Sequence, residues 1–148
     1  MKLVMQRVTH ARVEVDGEEV GAIGHGLVIF VGVGREDGVA VAERLADKTV
    51  GLRMFDDAEG KTNLSLLDVS GEALVVSQFT LFADCRKGRR PSFSSAGEPV
   101  RAAELVEVFR RALEQRGVGT ASGRFAAHMK VHLLNDGPFT ICLDSEDL

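Results

Sequence analysis

The stretch Leu74-Val75-Val76-Ser77-Gln78-Phe79-Thr80-Leu81 joins a short aliphatic run to a group of hydrogen-bonding side chains. Aliphatic and β-branched residues in such a run predict a buried strand, here Leu74–Phe82. Ser77, Gln78 and Thr80 would be costly in a core without hydrogen-bond partners. Either the fold satisfies them, as often happens at strand ends, or they line a site where a ligand does so. On this pattern alone, the favoured explanation is that the fold itself satisfies these polar side chains.

The residues before this stretch also predict strands. Val13–Val20 alternates in polarity around Asp16-Gly17, which is a strong signal for a β-hairpin. The continuous apolar run Leu27–Val33 predicts a strand that is buried on both faces. Shorter strands are expected near Leu64–Leu67, Ala127–Leu134 and Phe139–Leu143.

Two helices interleave with these strands. Apolar residues at helical spacing predict the first over Gly38–Met54, with Asp37 as its N-cap. The second is expected over Pro99–Arg116, with Pro99 in the first turn and Gly117 just past the end. Two helices are too few to cover both faces of a large sheet. The chain is therefore predicted to be an α/β domain of three layers, with mixed or curled sheets and both helices on one face.

Composition bounds the class of protein. A length of 148 residues predicts one domain, over residues 1–148, and 45% hydrophobic with 27% charged residues is ordinary for a globular protein. No apolar run reaches the roughly 18 residues that span a bilayer. Cys85 and Cys142 are too few for a disulfide framework. They are interpreted as free thiols of a cytoplasmic protein, with Cys142 in the core.

The charge distribution argues against broad binding to nucleic acid but leaves room for a local contact. The net charge is −4, whereas nonspecific nucleic-acid binding favours a basic surface. Against this background, residues 86–90 form a basic cluster of four cations. Its members are Arg86, Lys87, Arg89 and Arg90. The cluster is either a solvated loop or a contact for phosphate groups.

The sequence contains only weak candidates for a metal site and for a nucleotide-binding loop. His128 and His132 lie on a predicted strand, where residues four apart are separated by about 13 Å, too far to share one ion. Gly32-Val33-Gly34 follows a strand and precedes a helix, as a dinucleotide-binding loop does. However, Glu36 and Asp37 would place carboxylates against the phosphate.

The usual designs of a hydrolase are also missing. The chain has no Gly-x-Ser-x-Gly elbow, and its four histidines sit in no recognisable triad context. A hydrolase with this sequence would therefore not depend on a conventional base-activated side chain.

Gly137-Pro138 lies between two predicted strands, and the dipeptide alone favours a plain turn.

Taken together, segments over essentially the whole chain resemble the D-aminoacyl-tRNA deacylase family, which hydrolyses D-amino acids from mischarged tRNA. The segments are Gln6-Arg7-Val8, Gly26-Leu27, Asn63-Leu64-Ser65-Leu66, Ser77-Gln78-Phe79-Thr80-Leu81, the run from Arg86 to Phe93, and Asn135-Asp136-Gly137-Pro138. The Ser-Gln-Phe-Thr and Gly-Pro motifs at this separation are specific to the family, and neither departs from its pattern.

The resemblance implies a homodimer with two active sites at its interface and no metal or organic cofactor. The catalytic residues would be Ser77, Gln78, Phe79 and Thr80. Gly137-Pro138, in the cis form, would reach across from the other subunit to reject L-amino acids, with Arg7 holding that segment in place. The implied substrates are D-aminoacyl-tRNA and glycine mischarged on tRNA(Ala).

The residues are compatible with this chemistry. An aminoacyl ester is already activated, so the enzyme needs mainly to stabilise the oxyanion, which the backbone amides of Phe79 and Thr80 are hypothesised to do. Either Thr80 attacks the ester, or water attacks with help from the ribose 2′-hydroxyl. The second is favoured because no base for Thr80 is visible. Residues 86–90 are hypothesised to contact phosphates of the acceptor stem.

Two alternatives from other classes stay open at this point. The first is a noncatalytic RNA-binding module that uses the same basic cluster. The second, weaker alternative is a metabolite-binding domain that uses Gly32-Val33-Gly34.

Overall fold

β-strand β1 organises the sheet, because it pairs with three other strands. The computed structural model describes residues 1–148. In chain order its elements are β1 (Lys2–Val15), β2 (Glu18–Ile23), β3 (Gly26–Gly32), α1 (Val39–Gly51), β4 (Arg53–Asp56), β5 (Thr62–Ser65), β6 (Glu72–Ser77), a 3-10 helix (Phe79–Phe82), α2 (Pro99–Gln115), β7 (Gly119–Ser122), β8 (Lys130–Asp144) and a final 3-10 turn (Ser145–Asp147). None of the helices is both long and apolar enough to cross a membrane.

The main sheet is mixed and has six strands. Its order is β2-β1-β3-β6-β7, and β8 pairs with the other edge of β1. The pairs that involve β1 are antiparallel, whereas β6 runs parallel to both β3 and β7. Strands β4 and β5 form a separate two-stranded sheet.

Two hydrophobic clusters lie on opposite faces of the β3–β6 pair and define three layers. On β3, Leu27 and Ile29 point to the cluster that includes both helices, and Val28 between them points to the other. The second cluster is closed by β2 and the second half of β1, with residues of β7 and β8 packed against it. The predicted three-layer α/β fold, with two helices on one face of a curled sheet, is confirmed.

The first hairpin and the second helix form as predicted. Asp16 and Gly17 have φ angles of 52° and 83°, the left-handed pair that a tight two-residue hairpin turn requires. Helix α2 begins at Pro99 and is followed by Gly117, whose φ is 91°. The Glu98 carboxylate caps α2 by accepting hydrogen bonds from two backbone amides of its first turn.

The predicted cap of the first helix is wrong. Gly38 is the N-cap of α1 and makes no side-chain capping bond. The Asp37 carboxylate instead accepts hydrogen bonds from the Gly34 amide at 2.6 Å and from the amino group of Met1 at 2.5 Å. The helix also ends at Gly51, before the predicted Met54, because residues 53–56 form β4.

Three strand predictions need correction. The strand predicted over Leu74–Phe82 ends at Ser77, where a 3-10 helix takes over. The two strands predicted after residue 126 form one strand, β8, whose register against β1 shifts near Val8.

Cys142 is exposed and does not belong to the core. It alternates with Ile141 and Leu143, whose side chains pack on the core, and therefore points to the other face of β8.

Candidate functional site

The Ser77–Thr80 motif lies where the parallel strands β3 and β6 end. Ser77 is the last residue of β6 and pairs with Val31. The next amide, that of Gln78, still donates a hydrogen bond to the Val31 carbonyl at 2.8 Å. The chain then turns into the 3-10 helix at Phe79. Thus the polar residues that follow the apolar run are carried to the edge of the sheet rather than into its core.

Gly32 and Gly34 make room for this 3-10 helix. A Cβ atom on Gly32 would lie 2.9 Å from the Leu81 Cβ and 3.1 Å from the Gln78 carbonyl oxygen. A Cβ on Gly34 would lie 2.9 Å from the Phe82 ring. These glycines therefore serve close packing. Because the Gly34 amide already binds Asp37, the geometry gives no support to a nucleotide-binding loop here.

A cavity of about 500 Å³ opens beside the motif. It is lined by 14 residues, nine of them hydrophobic. The lining consists of Val76, Ser77, Gln78, Phe79, Ala96, Gly97, Pro99, Ala102, Phe125, Ala126, Ala127, His128, Met129 and Val131. Its polar side chains are Ser77 and Gln78 on one wall and His128 on the β7–β8 loop (residues 123–129). A pocket of this size, mostly apolar with a few polar groups, suits one small organic group.

Two of the motif residues are exposed at the mouth of the site. The Phe79 side chain is 57% exposed, and its ring packs edge to face on Phe93, with 4.9 Å between centroids. Thr80 is exposed and does not line the cavity. Its hydroxyl accepts a hydrogen bond of 2.5 Å from the Gln78 side-chain amide. A carboxamide is not a base at neutral pH, so this contact does not activate the hydroxyl as a nucleophile.

The carboxylate in the recess next to Ser77 is a poor base. Glu107 lines a small recess, of about 100 Å³, that shares Ser77 with the main cavity. The Arg110 guanidinium donates two hydrogen bonds to this carboxylate, at 2.8 and 2.9 Å, and lowers its pKa from 4.5 to about 2. A carboxylate with such a pKa accepts a proton only weakly at neutral pH. Glu107 is therefore not a suitable general base at this site.

Arg7 is buried and holds the segment around Gly137. Its guanidinium donates hydrogen bonds to the carbonyls of Asp136, at 2.9 Å, and Met54, at 2.8 Å, and lies over the Phe139 ring. The Asn135 side-chain amide donates to the carbonyls of Arg7 and Phe139, both at 3.0 Å. The loop is therefore fixed at both of its ends from within the same chain.

Gly137 and Pro138 are presented to solvent by this segment. The peptide bond between them is cis, and both residues are exposed. At Gly137, φ is 149°, and a Cβ atom would lie 2.6 Å from the Phe139 amide nitrogen, so only glycine fits. Neither residue lines the cavity beside Ser77. Within one chain, the Gly137-Pro138 segment is therefore not part of the cavity wall that Ser77, Gln78 and Phe79 line.

The basic cluster lies on a loop whose two ends are hydrogen-bonded to each other. Asp84 and Ser92 close it with two backbone hydrogen bonds, of 2.7 and 2.9 Å. The Arg86 guanidinium binds the Asp84 carboxylate and lowers its pKa from 3.8 to about 2. The other three cations of the cluster form no ion pair within the chain. They are Lys87, Arg89 and Arg90, and all are exposed. Of the four predicted phosphate ligands, Arg86 is thus paired within the loop, whereas the other three have no ion-pair partner.

The wall of the cavity that the β7–β8 loop forms was not predicted from the sequence. Phe125 and His128 reach the cavity from the β7–β8 loop, whose preceding strand β7 was not predicted because Gly119–Ser122 is short and weakly apolar. The sequence pattern offers His128 only as a metal ligand or as one of four histidines outside any triad context, not as part of a cavity wall. A sequence pattern for strands gives the face on which a residue lies, but not the cavity that a distant loop reaches.

Comparison with known proteins places the chain in a family. The family model described as D-Tyr-tRNA(Tyr) deacylase matches residues 4–144. A D-aminoacyl-tRNA deacylase from Thermotoga petrophila is 53% identical over 148 residues, covering 100% of this chain and 99% of the relative. One from Roseiflexus sp. is 59% identical over 145 residues, covering 98% and 94%.

Solved structures share the fold. The c-Myc DNA unwinding element binding protein superposes with a TM-score of 0.91 at 40% identity, covering 97% of this chain and 98% of that one. A probable eukaryotic D-amino acid tRNA deacylase gives 0.85 at 16% identity, covering 96% and 97%, and supports the fold alone.

The fold and the full-length identities define a hydrolase that acts on carboxylic ester bonds. Within that class, the chain belongs to the D-Tyr-tRNA(Tyr) deacylase family, the family that its sequence motifs indicate.

Replacing Gly32 with alanine tests how the site is built. The added Cβ would collide with the Leu81 Cβ and shift the 3-10 helix, so we expect kcat for ester hydrolysis to fall at least about tenfold, a loss of about 1.4 kcal/mol in transition-state stabilisation. Gly38→Ala is the matched control, because a Cβ there meets nothing within 4 Å. Steady-state kinetics and thermal unfolding separate the effects, and full activity of Gly32→Ala would contradict this account.

Proposed function

We propose that this protein hydrolyses the ester bond of D-aminoacyl-tRNA, as a single domain in the cytoplasm, and releases the free D-amino acid and tRNA. The observation that carries the proposal is the polar Ser77–Thr80 motif at the mouth of an apolar cavity that contains no acid–base pair. This arrangement suits an activated ester, which needs a stabilised oxyanion more than a strong nucleophile.

Backbone amides supply the oxyanion contact in this proposal. The first N–H groups of a helix have no partner within it, and the 3-10 helix starts at Phe79. Among the backbone hydrogen bonds of turns and loops, none is donated by Phe79 or Thr80. Their amides are therefore available to a carbonyl oxygen that develops negative charge. Loss of one such donor typically costs a factor of about 10²–10³ in kcat.

Thr80 is proposed to position the substrate, while water attacks with help from the 2′-hydroxyl of the terminal ribose. Two observations support this division. The Thr80 hydroxyl is hydrogen-bonded to an amide, and the Glu107 carboxylate, in the recess that Ser77 also lines, has a lowered pKa. Neither group can take the hydroxyl proton efficiently.

A homodimer completes the site in this proposal. Gly137 and Pro138 are exposed and outside their own cavity, so a second subunit is the natural recipient of the segment. Strand β8, which carries them, pairs with β1 on one edge only, and its Leu134 is 54% exposed. An unpaired edge with apolar residues favours association with another chain.

Chirality is proposed to be read by exclusion. The backbone oxygens of the Gly137-Pro138 segment would bind the α-amino group and fill the volume that an L side chain needs. Because Arg7 and Asn135 fix the segment, it cannot move aside cheaply. Glycine has no side chain to exclude, so glycine mischarged on tRNA(Ala) would also be hydrolysed. This is discrimination against the wrong substrate rather than extra affinity for the right one.

The basic cluster is proposed to contact acceptor-stem phosphates. Lys87, Arg89 and Arg90 are exposed and form no ion pair, so they can neutralise phosphate charge without first breaking a contact. Phe93, three residues after Arg90, packs on Phe79, and this contact supports a position of the loop beside the proposed ester site.

The first test compares the two enantiomers. Purified protein should release tyrosine from D-Tyr-tRNA at least about a hundred times faster than from L-Tyr-tRNA, a range that steric and polar exclusion can supply. Gly-tRNA(Ala) should be hydrolysed as well. Equal rates for D-Tyr and L-Tyr would refute selection by exclusion, and no release from either would refute the proposed activity and leave binding without catalysis.

The second test is the substitution Thr80→Ala. If Thr80 only positions substrate, kcat/KM for D-Tyr-tRNA should fall by no more than about tenfold, or 1.4 kcal/mol. Loss of a true nucleophile costs on the order of 10⁴–10⁶ in kcat. Thr80→Ser is the control that keeps a hydroxyl. Full activity of the serine variant beside an inactive alanine variant would establish the covalent route instead.

The third test reverses the free charges of the basic loop. The triple variant with Lys87, Arg89 and Arg90 replaced by Glu should bind tRNA more weakly, and the slope of log K against log salt should flatten by about 2–3. A control with the same charge change, Lys48→Glu/Arg53→Glu/Lys61→Glu, alters exposed residues elsewhere. Equal binding by both triple variants would remove the loop from the proposed interface.

A further inference from the structure

We propose that His128 is a binding residue for the phosphate that precedes the terminal nucleoside of the substrate. The inference rests on the proposed function and goes further by naming a group that bridges the cavity and the RNA chain. His128 is the only one of the 14 lining residues with a titratable side chain. It lies outside the Ser77–Thr80 motif, the Gly137-Pro138 segment and the basic cluster.

The β7–β8 loop that carries His128 is anchored at both ends. The Gly123 amide donates a hydrogen bond to the Val75 carbonyl at 3.1 Å, two residues before Ser77 in β6. The Met129 sulphur packs against Gly123, where a Cβ atom would lie only 2.5 Å from it. The wall that contains His128 is thus tied to the strand that carries the catalytic motif.

The tip of the loop has an unusual backbone. Ala126 has a φ of 59°, a left-handed conformation that is disfavoured for a non-glycine residue. The turn is closed by a hydrogen bond of 3.2 Å from the Ala127 amide to the Arg124 carbonyl. This tip places Phe125 and His128 on the cavity wall.

The imidazole of His128 has no partner within the chain. It is exposed and makes no hydrogen bond or ion pair within the chain, whereas His10 binds Thr9 and His132 lies 3.5 Å from Glu14. A ring N–H is a donor in both protonation states of histidine. A free donor on the rim of a mostly apolar cavity is suited to an anionic group that stays outside it.

The size of the cavity indicates which group that is. About 500 Å³ accommodates one aminoacyl nucleoside, since pockets for single small ligands span about 300–1,000 Å³. The RNA chain must therefore leave the cavity at the 5′ side of the terminal nucleoside. The first group outside is the phosphodiester, which accepts hydrogen bonds from imidazole and would meet His128 at the rim.

Two non-hydrolysable ligands that differ by one phosphate test this directly. They are 3′-deoxy-3′-(D-tyrosylamino)adenosine and its 5′-monophosphate, with Kd measured by calorimetry. On the wild-type protein the phosphate should strengthen binding about fivefold to tenfold, which lies within the range of a typical net hydrogen bond. With His128→Leu the two ligands should bind equally. His128→Gln, which keeps an N–H donor, should recover most of the gain.

The matched control is His132→Leu, which removes an exposed histidine outside the cavity lining and should leave the phosphate gain intact. In kinetics with D-Tyr-tRNA, His128→Leu should raise KM about fivefold to tenfold with kcat within twofold. The proposal is overturned if the phosphate gives the wild-type protein no gain, including no binding by either ligand, or if His128→Leu keeps that gain. A wild-type protein that binds the phosphorylated ligand more tightly but does not hydrolyse D-Tyr-tRNA would refute the proposed function instead.

Discussion

The parallel pairing of β3 and β6, buried on both faces, is the constraint on which the rest of the structure depends. Each strand sends alternate side chains to the helical layer and to the curled part of the sheet. Because the strands are parallel, their carboxyl ends meet at one edge, with Ser77 beside Val31. Ligand sites in sheets with parallel strands form at such edges, where side chains leave the core. The position of the site is therefore a consequence of strand direction.

Much of this fold could be predicted from the sequence, because the signals are local. The Asp16-Gly17 turn, the doubly buried β3 and the bounds of α2 each follow from neighbouring residues. The failures come mainly from partners that local patterns do not show. Asp37 does not cap α1 because the Gly34 amide and the Met1 amino group take its carboxylate. Met1 lies 36 residues away in the sequence, and the pattern around residue 37 does not reveal that contact.

The candidate site shows the same limit more strongly. The Ser77–Thr80 motif was visible as polar residues after an apolar run, but its turn into a 3-10 helix depends on close packing over Gly32 and Gly34. Those glycines suggested a nucleotide loop when considered alone. The cavity wall at His128 comes from a part of the chain some fifty residues later than Ser77. A motif thus gives the chemistry of one wall, and the fold decides which residues form the other.

The distribution of charge around the cavity explains how an acidic protein can act on an RNA. Two ionised side chains near the motif are paired, since Glu107 is held by Arg110 and Arg86 by Asp84. Besides the Phe79 and Thr80 amides, free donors lie on the basic loop and at His128. Under the proposed function, such an arrangement would attract a polyanion without placing a competing charge beside the oxyanion. Binding and catalysis would then depend on different side chains, and substitutions in one set should leave the other largely intact.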